Sequence, residues 1–386
     1  MILTGYRREN GAVGFRNHIV VISSVVCANV AVEKLCQQEK EDVIPLTHPL
    51  GCAQLGDDYA LTFNTLAGLG ANPNVGAVLI VGLGCEKLEP AKLAAAISKT
   101  GKPVEYLTIQ EEGGITRTIE QGSKILAGFY NYLQKQKRVP AEPADIVLGL
   151  ECGGSDATSG IAANPAVGAA SDLLIEAGGT VILSETTELI GAEHILARRA
   201  ENEAVKKELL AVIARAEERA RGAGVDIRGA QPAPGNIEGG LTTIEEKSLG
   251  CVHKAGSSTV RGVLDYGEAP QKKGLLVMDT AGFDVESVTG MVAGGSQIIV
   301  FTTGRGTPVG NAVAPVIKVT GNPRTAKTMK EHIDVDVSSV ILGEETLEEA
   351  GQRLYERIIA TASGSLTLSE QLGHREIAIS RLYPTI

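Results

Sequence analysis

Cys27, Cys85 and Cys152 each stand just past an apolar run: Ile-Val-Val-Ile-Ser-Ser-Val-Val, Val-Leu-Ile-Val-Gly-Leu-Gly and Ile-Val-Leu-Gly-Leu-Glu, respectively. A fourth cysteine, Cys52, closes Thr47-His48-Pro-Leu-Gly-Cys52 shortly after another such run. Ligands of open parallel sheets bind beyond the carboxyl ends of the strands, so residues far apart in sequence can converge there. Thiolates and imidazole together suit iron or zinc. The competing reading is that a free cysteine behaves as a small buried hydrophobe. Cys36 and Cys251 fall inside helical pattern and read as structural. No Cys-x-x-Cys pair occurs, which disfavours a structural zinc ribbon. His48 reads either as a ligand or general base, or as a hydrogen-bonded loop histidine.

Other polar residues sit at similar exits. Glu151-Cys152-Gly-Gly-Ser155-Asp156 can turn backbone N–H groups towards an anion, or Ser155 and Asp156 can simply cap a turn. Glu185, Glu188 and His194 follow the next strand and suit a divalent cation or divided acid and base roles. As first-turn carboxylates the two glutamates would instead favour a helix dipole. Lys247 can hold a substrate carboxylate or, desolvated, act as a base; a solvated pairing with Glu245 or Glu246 is the ordinary alternative. Arg305, with Thr303 beside it in Thr-Thr-Gly-Arg-Gly-Thr, can clamp a carboxylate bidentately. Dinucleotide, phosphate-loop and nucleophile-elbow signatures are absent from the sequence.

These residues need elements to position them. Val/Ile-rich strands are predicted at 18–26, 43–46, 76–81, 104–107, 145–150, 180–183, 274–278, 297–301 and 313–319. Helical periodicity falls at 28–38, 57–69, 90–99, 111–136, 166–177, within 192–222 and at 344–361. The alternation predicts an α/β fold of two domains with mainly parallel, doubly wound, Rossmann-like sheets. A chain of 386 residues also exceeds what one core usually organises. The charged, proline-bearing stretch about 137–144 reads as a linker between domains 1–136 and 145–386. Residues 229–240 read as a long irregular loop of functional type.

Composition narrows the function. The net charge of −10 is spread along the chain, which argues against a nucleic-acid partner but not against a small anionic substrate. No apolar run approaches the roughly 20 residues of a membrane span, and no export signal is visible, so a cytoplasmic, reducing location and no membrane partner are expected. Aromatics at 3% disfavour a stacking site.

A family resemblance then enters. Gly5-Tyr-Arg-Arg-Glu-Asn-Gly-Ala-Val-Gly14, His48-Pro-Leu-Gly-Cys52, Asn72-Pro-Asn-Val-Gly76 and Gly82-Leu-Gly-Cys-Glu86 resemble the altronate/galactarate dehydratase family. So do Glu151-Cys-Gly-Gly-Ser-Asp156, Gly160-Ile-Ala-Ala-Asn-Pro-Ala166, the run 239–250 and Phe301-Thr-Thr-Gly-Arg-Gly-Thr-Pro308. The resemblance implies loss of water from an aldonate or aldarate such as altronate or galactarate, giving a 2-keto-3-deoxy acid. It also implies a divalent metal, Fe2+ first, with Mn2+ or another cation possible; the cysteines at the strand exits leave an iron–sulfur cluster as the alternative. Fused family members carry a small extra N-terminal domain, so the chain resembles the large subunit of a split enzyme with a separate small subunit. The related sulfolactate sulfo-lyase, a carbon–sulfur lyase releasing sulfite, is similar in arrangement.

Chemistry, rather than the motifs, assigns the roles. His48, His194 and Lys247 are the catalytic candidates; Ser155, Asp156, Thr303 and Arg305 the substrate-binding ones. Cys27, Cys52, Cys85, Cys152, Glu185 and Glu188 are the metal candidates. The expectation is one cleft between two domains that gathers His48, Cys52, Cys152 and Arg305, in a homo-oligomer. Failure of that convergence would favour a non-catalytic binding subunit.

Overall fold

The computed structural model describes residues 3–39 and 43–386. Its strands are β1 (Thr4–Arg7), β2 (Val13–Gly14), β3 (His18–Ser23), β4 (Val43–Leu46), β5 (Val75–Gly82), β6 (Val104–Thr108) and β7 (Val139–Pro140). There follow β8 (Val147–Cys152), β9 (Thr180–Leu183), β10 (Val260–Leu264), β11 (Gly274–Met278), β12 (Ile298–Thr302), β13 (Val316–Thr320) and β14 (Val335–Asp336). β3 to β6 form a wholly parallel sheet in the order β4-β3-β5-β6. A second, wholly parallel sheet runs β10-β11-β9-β8-β12-β13-β14. A small antiparallel sheet, β2-β1-β7, brings Val139–Pro140 of the expected linker against the N-terminal strand. The α/β class with parallel Rossmann-like sheets is as the sequence implies.

Near-continuous apolar strands such as Val-Gly-Ala-Val-Leu-Ile-Val-Gly in β5 are buried along their whole length because helices cover both faces. The Asn29–Gln37 and Ile115–Leu133 helices cover one face of the four-stranded sheet. The Asn164–Glu176 and Leu347–Ala362 helices cover one face of the seven-stranded sheet. Between the sheets, the Gly56–Ala71 helix packs on the Asp284–Ala293 helix in a core drawn from both halves. A Cβ on Gly68 would sit 2.3 Å from the Ala293 carbonyl oxygen, so only glycine allows this crossing. Asn72 and Asn74 rivet the halves: their Nδ2 groups donate to the carbonyls of Val292, Ser296, Gln297 and Val313. The Asn72-Pro-Asn74 motif is thereby structural.

Two departures have local causes. The helix expected over 111–136 breaks at Gly113 and Gly114 (φ 80° and 124°), leaving Ile109–Glu112 and Ile115–Leu133. The edge strand β10 escapes the apolar pattern because Arg261 and Gly262 interrupt it. Within 229–240, Pro234–Glu238 is a short helix. Among the described residues no helix is long and apolar enough to cross a membrane.

Candidate active site

β8 is the switch point of the large sheet: β9, the next strand in sequence, lies on one side of it and β12 on the other. The crevice outside such a point is where α/β sheets bind ligands. Here a cavity of about 300 Å³ opens, lined among others by Cys152, Ser155, Glu188, Lys247, Ser248 and Asp284. Its lining comes entirely from residues 152–284, so it lies within the C-terminal half rather than between the halves. Gly153 is required at its wall, since a Cβ there would lie 2.2 Å from Asp284 Oδ2.

Behind the cavity is a buried polar cluster. Glu185 is wholly buried and takes a left-handed backbone conformation (φ 64°), which costs a residue with a Cβ about 1–3 kcal/mol. Its surroundings over-determine it. Glu185 N donates to Thr280 Oγ1 (2.7 Å), Cys152 N donates to Glu185 Oε2 (2.8 Å), and Lys254 Nζ lies 2.6 Å from the same oxygen. Glu185 Oε1 has no partner. The donor atoms of Cys152, Glu185 and Cys251 all lie within 4.8 Å of one another, a group able to hold a metal ion. Two thiols and a carboxylate with one unpartnered oxygen fit a borderline-soft divalent cation. The Cys251 thiol and burial push the Cys152 thiol well above its ordinary value. Burial pulls the Lys254 ammonium down, but the two thiols and Glu185 outweigh it and hold it well above the usual range. Glu151, also fully buried, takes Ser287 Oγ (2.6 Å) and Ser184 Oγ (3.0 Å) on Oε2. Burial, then the Glu185 charge, pushes it well above the usual carboxylate range.

On the cavity side, Lys247 Nζ lies 2.6 Å from Glu188 Oε1. Burial lowers the ammonium, but Glu188 more than offsets it, so Lys247 is charged at neutral pH. Burial and Glu185 raise Glu188. Burial, then Glu185 and Glu188, push Asp284 up to about 7. Asp284 is the first residue of its helix, where the N-terminal partial positive charge only partly restrains that rise.

The sequence-derived candidates divide accordingly. Cys152, Ser155, Glu188 and Lys247 line one cavity, with Glu185 directly behind it. His48 is buried and committed to backbone: Nε2 lies 2.8 Å from the Ser23 carbonyl oxygen and Nδ1 accepts from Leu50 N at 3.1 Å. Burial lowers its pKa, and no ring nitrogen is free for catalysis. His194 is solvent-exposed on the short Glu193–Ala197 helix and does not line the cavity. Asp156 spends its carboxylate on Ser159 N, Thr158 Oγ1 and Asn322 Nδ2, capping the turn. Arg305 is half exposed and bonds Glu238 and the Gly235 carbonyl, fastening the 234–238 helix instead of reaching the cavity. Thr303 accepts from Gly306 N within the same loop. His48, Cys52, Cys152 and Arg305 therefore do not line a common cleft. Cys27, Cys52 and Cys85 lie at the end of the other parallel sheet.

Sequence reasoning missed Cys251, Lys254, Glu151 and Asp284. Cys251 and Lys254 lie on consecutive helical turns and Asp284 opens a helix, so each read locally as ordinary. Only Glu151, next to Cys152 at a strand end, gave a signal.

Carboxylates, ammonium groups and thiols thus surround a polar cavity at the switch point of an α/β sheet, as in an enzyme of this class. The chain belongs to the D-galactarate/altronate dehydratase family. The family's C-terminal part, described as D-galactarate/Altronate dehydratase, matches residues 144–385. The second domain, described as D-galactarate dehydratase/Altronate hydrolase, matches 5–134. The chain is 44% identical over 381 residues to the (2R)-sulfolactate sulfo-lyase subunit beta of Chromohalobacter salexigens, covering 98% of this chain and 97% of that one. It is 38% identical over 392 residues to the altronate dehydratase of Bacillus subtilis, and 37% over 396 to the galactarate dehydratase (L-threo-forming) of Escherichia coli. Each of those matches covers 97% of this chain and 76% of the relative. These relatives are lyases.

Proposed function

We propose that the chain is the large subunit of a split lyase that removes water from a sugar acid, an aldonate or aldarate such as altronate or galactarate, to give a 2-keto-3-deoxy acid. The Lys247–Glu188 pair facing Asp284 in a small polar cavity carries this reading. A substrate carboxylate that takes Lys247 as its counter-charge frees Glu188. Glu188 then accepts the C2 proton, and the electron pair of that bond forms the C2–C3 double bond. Asp284, poised near neutrality, gives its proton to the C3 hydroxyl as it leaves as water, and the enol becomes the ketone. Cys152, Glu185 and Cys251 would hold the divalent cation, Fe2+ first, which supplies charge stabilisation for the developing enolate. The same proposal includes a cytoplasmic location, a separate small subunit, a symmetric homo-oligomer, and domains at 1–136 and 145–386 joined by 137–144.

A second reading is favoured by the 97% coverage of the sulfo-lyase subunit. The same C2 proton is removed, but sulfite leaves from C3 and carries its own charge, needing no acid. Assaying the chain with its small subunit and ferrous iron on altronate, galactarate and sulfolactate separates the readings. Keto-deoxy acid without sulfite supports the proposal; sulfite alone replaces it. Binding without either product marks a non-catalytic subunit.

A further inference from the structure

Cys27, Cys52 and Cys85 lie outside this cavity and share one end of the four-stranded sheet. β3 is flanked by β4 and β5, and the loops leaving these three strands carry Cys27, Cys52 and Cys85. The loops are cross-tied. Val26 N donates to Leu50 O (2.9 Å), Ser24 Oγ to Glu86 Oε1 (2.7 Å) and Lys87 Nζ to Gln54 O (3.4 Å). The fully engaged His48 ring fastens the Cys52 loop to the end of β3. A Cβ on Gly51 would lie 2.2 Å from Ser24 O, and Gly51 has φ 104°, so this contact between the loops needs glycine. Glu86 in turn accepts from Leu83 N and Gly84 N and so shapes the turn that presents Cys85.

All three thiols are exposed, whereas Cys36, Cys152 and Cys251 are buried. Free cysteine is ordinarily among the most buried residue types, so three exposed at adjacent strand exits need another explanation. Spacing selects it. Sulfurs sharing one ion at about 2.3 Å stand at most about 4.6 Å apart. The Cys152 group meets the 4.8 Å limit, and the Cys27–Cys52–Cys85 trio does not. Neighbouring strands stand about 4.8 Å apart, so three exits span roughly 10 Å. That is wide for one ion and suited to a polynuclear centre.

We propose that Cys27, Cys52 and Cys85 bind a four-iron, four-sulfide cluster through three thiolates, each thiol losing its proton on ligation. Among the described residues no other cysteine is exposed, so one iron is left for a non-protein ligand. Asp57, five residues past Cys52, lines a second cavity of about 760 Å³ that includes Thr187 and Gly282. Both of these also line the Cys152 cavity, so the Gly56–Ala71 helix that follows the Cys52 loop borders the neighbouring cavity while the thiols themselves line neither. The inference is independent of the lyase reading and holds whichever group leaves.

The test is anaerobic reconstitution of the full chain with sulfide and equal ferrous and ferric iron, which carry the electrons of a two-ferrous, two-ferric cluster. Acid-labile sulfide is the readout, because an ion at Cys152, Glu185 and Cys251 takes none. About four sulfides per chain, a broad absorption band and a paramagnetic signal on reduction are expected. Cys27→Ser, Cys52→Ser and Cys85→Ser, being surface changes, should each keep the circular dichroism and thermal midpoint while losing at least half of the sulfide. Cys36→Ser should retain it. Wild-type chain that takes up iron with no sulfide, or folded Cys85→Ser with undiminished sulfide, overturns the proposal.

Discussion

Lys254 Nζ and Glu185 Oε2 meet at 2.6 Å with neither side chain exposed to solvent. Such a pair is costly to desolvate, and breaking it by removing one partner leaves a buried charge unmatched. Lys254→Met should therefore destabilise the chain by about 3–5 kcal/mol, read as a lower midpoint in urea unfolding. A midpoint within error of wild type would mean that the pair contributes nothing.

Asp284 gives a pH signature in metal-free protein. Its carboxyl is raised to about 7, against about 3.9 in an unfolded chain. Between those values the native state holds a proton that the unfolded state has released, so stability is full below about 4, falls as pH rises, and levels off above about 7. The whole span is on the order of 4 kcal/mol. Asp284→Asn should flatten this share of the slope, leaving that from Glu151 and Glu188. Equal slopes in the two proteins would contradict the assignment.

Gly153→Ala tests the cavity wall. The new Cβ would lie 2.2 Å from Asp284 Oδ2 and 2.8 Å from Phe301 Cζ. Phe301 is rigidly buried, so the carboxylate must move. Turnover should fall about 100-fold, with a stability loss of about 1–3 kcal/mol. Full activity would show that Asp284 is not positioned by this contact.

Asp156 is assigned to structure. Asp156→Ala removes the acceptor of Thr158 Oγ1 and Asn322 Nδ2, which should cost about 1–3 kcal/mol while leaving KM for the substrate within about twofold. A large rise in KM with unchanged stability would return Asp156 to the substrate-binding set.

These assignments show what was legible in the sequence. Apolar runs ending in Cys27, Cys85 and Cys152 located three strand exits correctly, because buried parallel strands must be apolar on both faces. Glu185, Glu188 and Lys247, singled out by the same logic of polar groups near strand ends or in the following loop, stand at or directly behind the cavity. Lys254 was hidden because nothing local distinguishes a lysine that tertiary packing will bury from one that water will solvate. Asp284 was hidden because a first-turn carboxylate is common. His48 and Arg305 misled for the converse reason: loop groups with reactive chemistry were consumed by backbone carbonyls and a neighbouring glutamate, contacts that spacing does not reveal.

The proposed mechanism stands on chemistry at the Lys247–Glu188 pair inside the cavity and not at the surface histidine. Turnover of the preferred substrate by Lys247→Met and His194→Ala, each confirmed as folded, tests it most directly. The expected result is a loss in kcat/KM of at least about 100-fold for Lys247→Met and no change for His194→Ala. Near-normal turnover by Lys247→Met, with activity abolished in His194→Ala, would contradict it.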